Sequence, residues 1–457
     1  MRSLRLFLLA LAATAACRAP SVSTTAPSGT THAAWTRDAV IYEVNVRQFT
    51  PEGTFVALQR HLPRLDSLGV DILWLMPAQP IGVKNRKGPL GSYYAVSDYT
   101  KINPEFGTAA DVRAFVDKAH RLGMRVILDW VPNHTAFDHP WITAYPDWYV
   151  HRADGSIINA RDNEGHDTDW TDVAELNYDN ADMRRAMIAD MKWWLVQMKI
   201  DGFRCDVAGG VPDDFWREAR SQLAAVRPDI FMLAESEAPT MHPAFDATYG
   251  WELHHLLNQI SQGKQGTDVL DTYLARQART FPADVYRMYF TSNHDENSWN
   301  GTEFERMGAN NQPAFVLAAT LANSLPLLYT GQEAGLAKRL RFFEKDTIDW
   351  AGPSYAAFYG RVFALKHKTP ALRNGAAGGV QAKLETDGGN RVYAFTRTLG
   401  AGSVVVVVNF GAVPARVAYR ALPLPGRYTD WFGGFATELA AAGVIDVQGH
   451  GYRVLVR

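Results

Sequence analysis

Eight short apolar runs recur along this chain, at residues 40–44, 72–76, 126–129, 202–206, 231–235, 247–249, 288–292 and 325–329. Helical periodicity fills several of the gaps, as at 111–121 and 183–198. Short buried runs joined by amphipathic helices are the pattern of parallel strands, which need long crossovers. Eight such units predict an α/β fold, a closed (β/α)8 TIM barrel, whose chemistry sits at the rim formed by the C-terminal strand ends. The 457 residues exceed what one small core fills, so a second, smaller domain is expected.

Two interruptions mark its place. After the third run, about 45 residues rich in Asp, Asn, His, Trp and Tyr precede the next helix, and loops of that length are usually functional. They read as an excursion domain at 135–177, inserted into a barrel made of 35–134 and 178–370. Beyond 370 the pattern turns to strands at 392–397, 403–409 and 452–456 between Gly- and Pro-rich turns, a C-terminal β-rich domain at 371–457.

The N-terminus is a targeting segment rather than part of the fold. Arg2 and Arg5 precede an apolar stretch, and Thr14-Ala15-Ala16 precede Cys17. Residues 1–17 resemble a bacterial lipoprotein signal, which implies a lipid on Cys17 and an exported, envelope-anchored protein, periplasmic or on an outer-membrane face; ordinary secretion with cleavage nearby is the alternative. Residues 18–34, rich in Ser, Thr, Pro and Ala, read as a flexible linker. No later apolar run reaches the roughly 20 residues of a membrane-spanning helix, so membrane contact is expected only through the anchor. Cys205 then has no intramolecular partner, and strand alternation turns it away from Arg204 and Asp206.

A formal charge of −2 argues against a nucleic-acid partner bound by phosphate neutralisation. Aromatic residues make up 12% of the chain, with 13 Trp, enough to supply platforms for flat neutral ligands such as sugars as well as core.

Three carboxylates stand at or just beyond ends of runs in different βα units. Asp206 closes Gly202-Phe203-Arg204-Cys205-Asp206, Glu235 follows Leu233-Ala234, and Asp295 ends Asn293-His294-Asp295. Carboxylates converging on one rim suit glycosidic cleavage, one as nucleophile and one as proton donor about 5–5.5 Å away. Arg204 shares a strand face with Asp206 and is expected to hold it ionised and lower its pKa. A structural Arg–Asp pair would explain those two residues but not Glu235 or His294-Asp295. Apolar neighbours are expected to raise the pKa of Glu235; Glu237 competes with it by parity. No Cys/His spacing indicates zinc. His254-His255 reads as a solvated pair.

With Asp129-Trp130-Val131-Pro132-Asn133-His134 and Gly91-Ser92-Tyr93-Tyr94-Ala95-Val96-Ser97-Asp98-Tyr99 added, these motifs resemble the α-amylase family of retaining glycoside hydrolases and transglycosylases (glycoside hydrolase family thirteen). The resemblance runs from about residue 39 to the C-terminus. It implies a retaining hydrolase of α-1,4-glucosidic bonds in starch, glycogen or maltooligosaccharides. Asp206 would be the nucleophile, Glu235 the acid/base, and Asp295 a third catalytic carboxylate. His134, Arg204, His294 and Tyr94 would hold substrate or catalytic groups, with Tyr93 as the competing register for stacking on the sugar. Asn133 would brace the excursion, often through calcium, although no cofactor is required for the chemistry. Gly209 and Gly210 replace the Lys-His pair of endo-acting members, so neither their product pattern nor their usual calcium site is implied. Transglycosylation and α-glucosidase action share this chemistry; a catalytically silent glycan-binding protein is the rival of another class.

Overall fold

Eight parallel strands close into a barrel in simple ring order: β1 (Ile41–Val44), β2 (Ile72–Leu75), β3 (Arg125–Trp130), β4 (Gly202–Cys205), β5 (Phe231–Ala234), β6 (Ala247–Tyr249), β7 (Tyr286–Phe290) and β8 (Ser324–Tyr329), which pairs back with β1. The computed structural model describes residues 31–352 and 354–457. The expected signal with Cys17 and most of the expected linker lie outside the described residues.

Strand alternation divides the barrel interior into two zones. Ile41, Ile72, Ile127, Phe231, Leu233, Ala247, Met288 and Leu327 fill an apolar cluster. Two residues further along each strand, the same inward parity delivers Glu43, Trp74, Asp129 and Arg204 to the C-terminal end. The polar site therefore stands on a packed floor, the usual TIM-barrel arrangement. Gly202 is required by closeness: a Cβ there would lie 1.8 Å from the Phe231 carbonyl oxygen.

The helices form where the sequence supplies caps and one apolar face. Thr108 and Asp111 make a reciprocal capping box on Ala109–Arg121, which buries Val112, Phe115, Val116 and Ala119. Asn180 caps Ala181–Trp193, which continues as a π-turn over Trp194–Met198 and stops at left-handed Lys199. Among the described residues no helix is long and apolar enough to cross a membrane.

In the excursion, His134–Ala136 pairs antiparallel with Val173–Glu175. His134 therefore begins the excursion's ladder. The C-terminal domain holds more strands than the three expected: a six-stranded sheet that includes Val392–Leu399, Gly402–Asn409 and Gly451–Val456, and a two-stranded ladder of Ala415–Tyr419 with Gly443–Val447. The others escaped notice because they are short and half exposed, as at Val380–Lys383 and Ala436–Leu439.

Candidate active site

A cavity of about 640 Å³ opens at the C-terminal rim of the barrel, within the size of small-ligand sites. Asp206, Glu235, Asp295, His294, His134 and Tyr94 all line it. Asp206 and Glu235 each sit one residue past a strand end, so β4 and β5 aim them while the loops stay free to shape the cavity.

Arg204 organises the centre. It is fully buried, and its Nη1 donates to Asp129 Oδ1 (2.7 Å) and Asp206 Oδ1 (2.8 Å). Its Nη2 pairs with Glu235 Oε1 at 2.9 Å, and its Nε donates to the Tyr249 hydroxyl at 3.0 Å. Trp74, Tyr94 and Tyr249 present ring faces to the guanidinium at 5.1, 5.8 and 5.5 Å. One planar cation thus fixes both candidate catalytic carboxyls.

The electrostatics correct one expectation. Arg204 does favour ionised Asp206, but burial is the larger influence, and with Asp129 nearby it pushes Asp206 up to about 6. Burial, then the charges of Asp206 and Asp295, push Glu235 up to about 8 against the pull of Arg204. The two environments are therefore separated in the order a nucleophile and a proton donor require. Protonated Glu235 also hydrogen-bonds Asp206, and its Oε2 accepts from Val207 N at 2.8 Å. Val207 holds that amide in place with φ +43, a left-handed conformation rare for a β-branched residue and found mostly where function demands it.

His294 carries a second network. Its Nδ1 bonds Glu43 Oε1 (2.5 Å), and its Nε2 meets the Tyr94 hydroxyl (2.7 Å) and Asp295 Oδ2 (3.3 Å). Burial would lower its pKa, but Asp295 and Glu43 outweigh burial and raise it to about 9. Tyr94 in turn donates to Asp129 Oδ2 at 2.9 Å and stacks on His294 with centroids 5.4 Å apart. Tyr93 instead donates to Asn45, and of the two tyrosines it is Tyr94 that lines the cavity. His134 is held neutral by burial, with a pKa of about 3.

Four other expectations resolve here. Glu237 turns away to Arg287 (2.8 Å) and does not line the cavity, because the strand ends at Ala234. Cys205 is buried and free, on the outer face of β4. His254 is not solvated: it is buried and bonds Glu296 Oε2 at 2.9 Å, while His255 on the next helical position is exposed. Asn133 braces the excursion by donating to the Arg161 carbonyl at 3.0 Å. Its Oδ1 and the Asp162 carbonyl oxygen both face Gly210, 3.1 and 3.3 Å from where a Cβ would stand.

Sequence reasoning missed Glu43 and the roles of Trp74 and Asp129, which inward parity on β1, β2 and β3 could have found. It also missed the cavity aromatics Trp170, Trp299, Phe342 and Phe343. They come from loops, where no periodicity tells cavity from core.

The family model of the α-amylase catalytic domain matches residues 25–353, and that of the α-amylase C-terminal all-β domain matches 384–455. The chain is similar to the α-amylase MalA of Haloarcula japonica, 32% identical over 407 residues, which cover 85% of this chain and 58% of that protein. It is also similar to α-1,4-glucan:maltose-1-phosphate maltosyltransferase 1 of Streptomyces coelicolor, 26% identical over 84% of this chain and 59% of the other. The chain thus spans a little over half the length of these two relatives. Against the crystal structure of an α-amylase from Lactobacillus plantarum it has a TM-score of 0.82 at 31% identity, covering 93% of this chain and 99% of that one. The match of barrel, terminal domain and motif-bearing strands has one consequence: this chain belongs to the α-amylase family.

Proposed function

We propose that this protein hydrolyses α-1,4-glucosidic bonds in starch, glycogen or maltooligosaccharides with net retention. The observation that carries the reading is the single buried guanidinium of Arg204 gripping both Asp206 and Glu235. Glu235 gives its proton to the glycosidic oxygen as that oxygen's bond to C1 breaks, and an Asp206 oxygen bonds C1 from the opposite face. Water then loses a proton to the Glu235 carboxylate and attacks C1, releasing Asp206. Asp295 stabilises the positive charge that builds on the sugar in both steps. His294, Tyr94 and His134 fix the ring.

Transfer to a sugar hydroxyl instead of water is the second reading, supported by the similarity to the maltosyltransferase. The presence of all three carboxylates and of Arg204 argues against a silent binding protein. Incubation with maltoheptaose and pullulan, with products followed by NMR, tests the assignment. Short α-anomeric products are expected from maltoheptaose. Initial β-anomers would refute retention, products longer than the substrate would favour transfer, and binding without turnover would favour the silent protein.

We also propose a structural calcium at the excursion junction. What supports it is Asn133, whose amide oxygen is a hard donor of the kind calcium takes and whose Nδ2 ties the end of the barrel strand to the excursion at the Arg161 carbonyl. A bound ion at a hundred times its Kd would add about 2.7 kcal/mol of stability. Calorimetry should therefore show Tm rising with calcium and falling with EDTA; an unchanged Tm would remove the site.

The basic start, the apolar stretch and Ala15-Ala16-Cys17 support export and lipidation at Cys17. Mass spectrometry of envelope-derived protein should find an acylated Cys17. An unmodified N-terminus at or beyond Arg18 would overturn the anchor and leave the catalytic proposal intact.

A further inference from the structure

Residues 83–91 form a strap beside the cavity, fastened on both sides. Toward the excursion, Asn85 Nδ2 donates to the Thr171 carbonyl at 3.2 Å. Lys87 Nζ donates to the Asp169 carbonyl at 2.8 Å and lies 3.8 Å from Asp172 Oδ1. The amides of Val83 and Lys84 both donate to Asp138 Oδ2, at 2.7 and 3.2 Å. Toward the loop after β8, Leu90 N donates to the Phe343 carbonyl at 3.0 Å. Gly88, at φ +62, presses so close that a Cβ would lie 2.5 Å from Phe343 Cβ. Buried Arg47 ties the two loops from below, donating to the carbonyls of Leu90, Gly91 and Phe342 at 3.2–3.3 Å.

The inner side of this strap belongs to the cavity. Lys87, Phe342 and Phe343 line the cavity together with Asp206 and Glu235. Trp299 stands beside them, its ring 5.3 Å from Phe342 and 5.7 Å from Phe343, and it is 52% exposed. Its mount is firm: Asn297 bonds the Lys338 carbonyl at 3.2 Å and the Leu340 amide at 2.8 Å. A firmly mounted, exposed indole facing a cavity is a stacking surface for a sugar ring.

The ring order gives the strap its direction. It joins the loops that follow β2 and β8, the two neighbours of β1. In an eight-membered ring β1 lies opposite β5, the strand that carries Glu235. A proton donor acts on the leaving group, so the leaving side of the substrate lies toward β5 and the retained sugars extend toward β1. On that side the cavity is lined by Trp299, by Phe342 and Phe343, and by Lys87 of the strap.

We infer that the strap closes the glycone end of the cleft, so that the enzyme cuts α-glucans from their non-reducing ends and releases short products of fixed length. The inference rests on the retaining reading above and adds exo action, with Asn85, Lys87 and Gly88 as its determinants.

The test uses the full chain and reducing-end-labelled maltoheptaose, either free or carrying a 4,6-O-ethylidene acetal on its non-reducing glucose. The free substrate should shorten by one constant step, and the blocked one should be cut at least 50-fold more slowly. An Asn85→Ala/Lys87→Ala variant, which unfastens the strap from the excursion, should raise the blocked-to-free rate ratio at least tenfold. Equal rates with mixed products in the wild type would overturn the inference and leave the hydrolase reading standing. An unchanged ratio in a folded double variant would overturn the role of the strap, and if the variant does not fold, the wild-type pair of substrates decides. No cleavage of either substrate would overturn both readings.

Discussion

Asp206→Asn is expected to lower kcat/KM on maltooligosaccharides by about 10⁴-fold or more, about 5.5 kcal/mol of lost transition-state stabilisation. The amide keeps the size of the side chain and can still meet Arg204, but it is a poor nucleophile toward C1. The fold should survive, because Arg204 retains Asp129 and Glu235 as partners on either side. Breaking a buried pair outright would cost about 3–5 kcal/mol, and this exchange does not leave the guanidinium alone. Thermal unfolding and calorimetric binding of maltoheptaose should therefore stay near wild type while turnover disappears. Turnover within tenfold of wild type in the folded variant would remove Asp206 from the nucleophile's role.

Glu235→Gln should divide substrates by how much protonation their leaving groups need. Starch cleavage should fall about 10³-fold, within the range that acid–base groups contribute, and glycosylation by α-maltosyl fluoride should fall far less. The pH profile supplies a second readout. In the wild type Asp206 must be ionised, so activity is lost as pH falls through about 6. Glu235 must be protonated, so activity is lost as pH rises through about 8. In the Gln variant the alkaline limb should vanish and the acid limb remain. Equal losses on both substrates, or an intact alkaline limb, would place the proton donor elsewhere.

Both predictions depend on an arrangement that the sequence showed only in part. Period-two alternation is local, so the eight strands and the inward parity of Arg204 with Asp206 could be read directly from residue order. The spacing Gly202-Phe203-Arg204-Cys205-Asp206 was enough to pair a cation with a carboxylate. It was not enough to reveal that the same cation also grips Glu235 and Asp129, which lie 31 and 75 residues away along the chain. Nor could it give the sign of the Asp206 shift. A neighbouring Arg is visible in sequence, whereas the burial that outweighs it is created by the packing of the whole barrel mouth.

The loops divide in the same way. Tyr94 and Tyr93 are adjacent and chemically alike, and only the path of the backbone after β2 sends one to Asp129 and the other to Asn45. Glu235 and Glu237 share parity, but the strand stops at Ala234, and Arg287 from β7 takes up the second carboxylate. Trp299, Phe342 and Phe343 reach the cavity from two different loops, and the strap at 83–91 acquires meaning only because the excursion and the β8 loop stand on either side of it. Residue order by itself determined the barrel, its family and the carboxylates, since alternation and short motifs are properties of neighbouring residues. Tertiary structure alone decided which groups share a charge, which are stripped of water and which loops line the cleft, because burial and long-range contact exist only once distant segments have closed into one ring.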